Sequence, residues 1–144
     1  MSIHFTSAVP QFAVADVVRT VKYYQQVLGF EVGGYWDGER VHDHESASAV
    51  FGIVQRDDVR LHFNRAHSSY VRPERTDGGY DVYFHVVGID ELAEDLRSRG
   101  AEILGGPEDR VYGQRELVVR DCNGVLLAFG DARDHDSPAE NTAI

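Results

Sequence analysis

The chain has 144 residues, 42% hydrophobic and 26% charged, with a formal net charge of −10. A chain of this length buries roughly 68% of its unfolded surface, enough for a core without staples, and its single cysteine, Cys122, excludes an internal disulfide. Only 14 Lys and Arg stand against 24 Asp and Glu, which disfavours a nucleic-acid partner, because phosphate binders cluster their cations.

No apolar run approaches the roughly 20 residues that span a bilayer, so no membrane partner is expected. Residues 1–9 have neither a basic start nor a long apolar stretch, so a signal peptide is not expected and the cytoplasm follows by elimination. The acidic excess favours solubility and, in a recess, a cationic ligand. Part of it falls after Gly130, where Asp131, Asp134, Asp136 and Glu140 accompany Pro138 without apolar periodicity. A single domain over 1–132 with a flexible tail over 133–144 is expected.

Residues 9–15 read as extended and lead into Asp16, a helix N-cap residue type. Val17, Val21, Tyr24 and Leu28 then recur on one helical face, and Gly29 stops the helix. Phe30-Glu31-Val32 begins a strand, followed by a long polar loop over 33–48. Residues 49–55 and 59–64 form a hairpin about the turn Arg56-Asp57-Asp58. A polar link over 65–79, with Pro73 and Gly78-Gly79, separates this half from the next.

The plan then repeats. Residues 82–87 are rich in β-branched and aromatic side chains and read as a strand. Ile89, Leu92, Ala93 and Leu96 share a helical face, Asp95 and Arg99 pair on the solvent side, and Gly100 stops the helix. A strand starts at Ala101. Residues 115–121 and 125–130 make a second hairpin about Asn123-Gly124, a strong turn signal. Residues 59–64 align with 125–130. The layout predicts an α+β fold of two βαβββ repeats, about 6–66 and 79–131, whose curved mixed sheets surround a cleft with a helix behind each sheet.

Candidate chemistry is sparse. No Gly-rich phosphate loop and no Gly-x-Ser-x-Gly elbow is present, and Cys122 lies in a turn without an activating base nearby in sequence, so no catalytic residue is assigned. Arg115 and Glu116 sit together on a strand and read as a cross-strand contact. His42 and His44, in a polar loop beside Asp43 and Glu45, are either solvated or a metal site completed by His62 or His67. On the strand over 59–64, Arg60, His62 and Asn64 point one way and Leu61 and Phe63 the other. His62 is then a ligand contact or a satisfied, partly buried imidazole. Asp81, Tyr83 and His85 likewise share one strand face, either toward a ligand or at the edge of the core.

Several stretches resemble the bleomycin-resistance branch of the vicinal-oxygen-chelate superfamily, which also holds glyoxalases and extradiol dioxygenases. They are Thr6-Ser7-Ala8-Val9-Pro10, Ala15-Asp16-Val17, Val27-Leu28-Gly29-Phe30, Arg56-Asp57-Asp58-Val59, Gly88-Ile89-Asp90-Glu91-Leu92, Tyr112-Gly113-Gln114-Arg115-Glu116-Leu117 and Arg120-Asp121 before Asn123-Gly124. The likeness covers nearly the whole chain. It departs at Cys122, where the family usually has Pro, and at Tyr112, where bleomycin binders tend to have Trp.

The resemblance implies four metal-ligand positions in enzymes of the superfamily, here Val9, His62, Asp81 and Ala128. Two of these lack donor side chains, so neither a metal nor any other cofactor is expected. It also places His62 toward the cleft, Phe51 and Tyr112 as opposed aromatic faces that could sandwich a flat ring, and Trp36 at the cleft mouth. Pro10 matches a proline beside an N-terminal strand that homodimers of the family exchange. The expected function is non-catalytic binding of a small molecule, a flat and cationic antibiotic or metabolite, in a dimer cleft. The alternative is a metal-dependent lyase or isomerase, thiol transferase or extradiol dioxygenase. The expected ligand-binding set is Trp36, Phe51, His62, Tyr83, His85 and Tyr112.

Overall fold

A computed structural model describes residues 2–45 and 48–133. The tail expected to be flexible lies, from residue 134 onward, outside the described residues. The chain divides into two compact units, Met1–Val71 and Arg72–Ile144. Among the described residues no helix is long and apolar enough to cross a membrane.

The first unit contains β1 (Gln11–Val14), α1 (Val17–Gln26), β2 (Glu31–Trp36), β3 (Val41–His42), β4 (Phe51–Arg56) and β5 (Val59–Arg65). These strands form one mixed sheet in the order β1-β5-β4-β2-β3, with β1 parallel to β5 and the other pairs antiparallel. Asp16 caps α1 as expected: its carboxylate accepts from Arg19 N at 3.0 Å. Gly29, at φ 73°, takes the left-handed turn that ends the helix. Val17, Val21 and Tyr24 are buried against the sheet, where Tyr24 meets Phe63 at 4.9 Å between ring centroids. At Gly52 a Cβ would come within 2.8 Å of Val21 and 2.9 Å of Val17, so the helix rests directly on the β4 backbone.

The long loop expected over 33–48 is shorter than that. Strand β2 runs on through Trp36, with a bulge between Val32 and Gly34, and the chain folds back as β3. The two glycines in Gly33-Gly34 masked the strand in the sequence, since glycine lowers strand propensity while favouring bulges.

The second unit contains β6 (Val82–His85), α2 (Ile89–Ser98), β7 (Glu102–Asp109), β8 (Gln114–Arg120) and β9 (Leu126–Ala132). Its sheet has the order β6-β9-β8-β7, with β6 parallel to β9. Both sheets are therefore mixed and each unit carries one helix, the α+β arrangement expected. In each unit the last strand lies between the first strand and the strand of its own hairpin, so the strand–helix–strand plan is repeated in the pairing as well as in the order.

Helix α2 starts differently from α1. Its N-cap is Gly88, which has no side chain to offer. Asp131 on β9 reaches across instead and accepts from Gly88 N at 2.9 Å and Ile89 N at 3.2 Å. This carboxylate does the capping from the neighbouring strand and also meets the positive end of the helix dipole. Asp131→Ala is expected to cost about 1–2 kcal/mol of stability, read from urea denaturation; an unchanged midpoint would contradict the capping role.

Candidate functional site

Because Gly52, Leu61 and Phe63 face α1, strand alternation turns Phe51, Ile53, Arg60, His62 and Asn64 to the opposite face of the first sheet. The pairing then sets two rows across that face. One runs Gly34–Ile53–His62–Gln11 and the next runs Trp36–Phe51–Asn64–Ala13. Three of the expected ligand contacts, Trp36, Phe51 and His62, thus share one surface. Trp36 is 38% exposed and Phe51 partly so. The Phe51 and His62 rings meet at 5.0 Å with a 70° interplanar angle. Asn64 Nδ2 donates to Gln11 Oε1 at 3.2 Å on the same face.

His62 itself is not a satisfied imidazole. Both ring nitrogens are buried, and neither has a hydrogen-bond partner among the described residues. Burial, and then the positive charge of Arg60, push its pKa below the ordinary 6.5.

The histidines considered for a metal do not converge. His42 is the register partner of Tyr35, which shares the α1 side with Gly52, so His42 lies on the opposite face of the sheet from His62. His42 Nε2 pairs with Asp37 Oδ2 at 2.8 Å, and His44 Nδ1 with Asp43 Oδ1 at 2.9 Å. That His42 contact, followed by the amides of Arg40 and Glu39, holds the Asp37 carboxyl at a pKa of about 2. His67 is engaged with Ser69 at 2.8 Å. Among the described residues no group of three or more His, Cys, Asp or Glu is placed to hold a metal ion.

In the second unit Asp131 marks the α2 side of β9, so Ala128 and Gly130 face away from α2, as do Glu116, Tyr83 and His85. Glu116 and Gly130 are register partners. A Cβ at Gly130 would collide with the Tyr83 ring, which therefore lies across the strand. The Glu116 carboxylate is the hub of this face: its side chain is 1% exposed and accepts three hydrogen bonds. Tyr83 Oη donates to Oε2 at 2.6 Å, while Tyr112 Oη at 2.7 Å and Arg110 Nε at 3.1 Å donate to Oε1. Burial first, and Glu116 second, raise the Tyr112 pKa to about 12 and push Tyr83 well above its usual range.

Tyr83, expected as a ligand contact, spends its hydroxyl on Glu116. Tyr112, 37% exposed, spends its hydroxyl likewise and keeps part of its surface free. His85 is exposed, 5.2 Å from the Tyr83 ring. The cross-strand contact expected of Arg115 and Glu116 separates into two. Arg115 pairs with Asp90 at 3.0 Å, while Glu116 turns to the tyrosines. The sequence carried one signal for this: Glu116 alternates with Leu117 and Val119 on a strand, and a carboxylate beside buried apolar positions needs donors.

Asp81, the other position that has a donor, is also engaged. It accepts from Leu126 N at 2.8 Å and pairs with Arg72 at 2.7 Å and Arg75 at 3.6 Å.

Protonated His62 is disfavoured in the fold, so the unfolded chain takes up the proton first as pH falls through 6.5. Stability is then lost below that pH until the lower, folded-state pKa is passed. His62→Phe is expected to lose less stability than the parent between pH 7 and pH 5 (~two pH units spanning this window), read from urea midpoints. Parallel pH profiles would contradict the burial of an unpartnered imidazole.

Residues 3–129 match the Glyoxalase/Bleomycin resistance protein/Dioxygenase superfamily. Virulence protein STM3117 of Salmonella typhimurium is 23% identical over 118 residues, covering 79% of this chain and 75% of that protein. Among solved structures, the bleomycin-binding protein of bleomycin-producing Streptomyces verticillus, complexed with copper(II)-bleomycin, aligns with TM-score 0.64 and 25% identity over 91% of this chain and 99% of that one. TioX from Micromonospora sp. ML1 aligns with TM-score 0.67 and 20% identity over 89% and 99%. Two repeated strand–helix units, their pairing order and the match over 3–129 agree: this chain belongs to the glyoxalase/bleomycin resistance protein/dioxygenase superfamily.

Proposed function

We propose that the protein is a non-catalytic small-molecule binder of the bleomycin-resistance type, which sequesters a flat antibiotic or metabolite in the cleft of a homodimer. The observation that carries this reading is the shared face of Trp36, Phe51 and His62: flat apolar surface beside a polar ring that lacks a protein partner. The complexed state of the Streptomyces verticillus relative supports it. The net charge of −10 favours a ligand with a cationic part, held at long range rather than by an ion pair on that face.

The metal of the superfamily's enzymes does not fit these residues. Val9 and Ala128 have no donor atoms, and the Asp81 carboxylate is neutralised by two arginines. Only His62 of the four positions has uncommitted donor atoms, and one imidazole does not hold a catalytic ion. No catalytic step is therefore derived through a metal.

Titration with metal-free bleomycin, followed by calorimetry, tests the reading. Saturable binding without turnover is expected. Removing one stacking ring, as in Phe51→Ala or Tyr112→Ala, is expected to weaken it by roughly twofold to tenfold. Tyr112→Phe, which keeps the ring, is expected to bind like the parent. Absence of binding by the parent protein would overturn the antibiotic assignment, and unchanged affinity in both alanine variants would overturn the stacking.

A further inference from the structure

An imidazole always carries a donor or an acceptor at each nitrogen, and burying both without partners forfeits the hydration of each. His62 does this on a face where the polar side chains beside it in the pairing bond to one another and not to it. Gln11 and Asn64 bond to each other. Arg60, two residues along β5, donates to Gln55 Oε1 at 3.0 Å. No described side chain of this unit serves as a partner for His62. The strands that flank it restrict the partner's charge. On this face β1 contributes Gln11 and Ala13, β4 contributes Phe51, Ile53 and Gln55, and β2 brings Glu31 only in the row of Gln55 and Arg60. No carboxylate stands in the His62 row to meet a cation. The one cation on β5's inner stretch, Arg60, repels a second, and burial opposes any group that would charge the imidazole.

We propose that His62 is the polar recognition group of this face and that it takes an uncharged planar group with a hydrogen-bonding edge, of the aryl- or heteroaryl-carboxamide class, lying against Phe51. This rests on the binding reading above and deepens it: any cationic part of the ligand lies off this face. The Phe51 ring stands beside His62, 5.0 Å away between ring centroids. Neutral His62 serves such a group with either a donor or an acceptor, depending on its tautomer, whereas protonated His62 offers donors only and must first be charged in a buried setting. Binding therefore weakens as His62 takes up a proton.

Three probes of one shape and different charge test this: benzamide, benzoate and benzamidine at millimolar concentration. Their effect is read on the side-chain nitrogen resonances of His62 in histidine-labelled protein. Benzamide is expected to shift these saturably and to bind about tenfold tighter than either ion, the size of one buried hydrogen bond. His62→Phe is expected to abolish the preference among the three while still binding aromatic rings, and His62→Gln, which keeps a donor and an acceptor, to restore it in part. Equal binding of benzamidine, or benzamide binding that leaves His62 unshifted, would overturn the proposal. Bleomycin titrated into the same variants separates the two readings. Undiminished drug binding by His62→Phe would overturn the role of His62 while leaving a binding protein, whereas no drug binding by the parent counts against the antibiotic reading alone.

Discussion

The last strand of each unit is held on both edges, β5 between β1 and β4, and β9 between β6 and β8. With ladders on both sides its register cannot slip, because a one-residue shift would turn Leu61 and Phe63, or Leu127 and Phe129, out of the core. That two-residue alternation decides everything on the other face. What stands at 62 and 64, or at 128 and 130, is presented away from the helix because its neighbours in sequence are clamped beneath it.

On this common frame the two halves have diverged in a complementary way. Where the first unit has His62 and Asn64, the second has Ala128 and Gly130. Where the first has Phe51, the second has Glu116, since Phe51 pairs with Asn64 and Glu116 with Gly130. Gln11 corresponds in the same way to Tyr83. The small residues of β9 make room for the Tyr83 ring, and its hydroxyl reaches the Glu116 carboxylate. On the second face an acid, two tyrosines and Arg110 answer one another, while the buried Gln114 Oε1 has no partner among the described residues. On the first face it is both ring nitrogens of His62 that have no partner among the described residues. The proposed binding role therefore draws on the first sheet, while on the second the Glu116 carboxylate holds the Tyr83 and Tyr112 hydroxyls.

Much of the frame was legible in the sequence, for physical reasons. Asp16 and Gly29 bracket α1 because a carboxylate before a helix and a glycine after it satisfy the helix ends. Asn123-Gly124 gave the second hairpin. The second helix was legible from the shared face of Ile89, Leu92, Ala93 and Leu96, but its cap was not, since Asp131 lies 42 residues away from Ile89 along the chain. The face of His62 followed from alternation alone. Its lack of a partner did not, because Asn64 and Gln11 become neighbours only through the parallel pairing of β1 with β5. The cross-strand contact expected of Arg115 and Glu116 is met by Asp109 on β7 for Arg115, whereas the partner of Glu116, Tyr83, is 33 residues distant and not visible in local spacing.

On the proposed reading, His62 stands where the resemblance implies a metal-ligand position and serves a small-molecule ligand instead. The most direct test of this account is the metal content of tag-free protein purified without chelator, measured by elemental mass spectrometry. The account predicts far less than one equivalent of any transition metal per chain, since Val9 and Ala128 offer no donors and Asp81 is committed to arginines. Close to one equivalent would contradict it, and would mean that His62 finds its partner in a metal ion rather than in a neutral ligand.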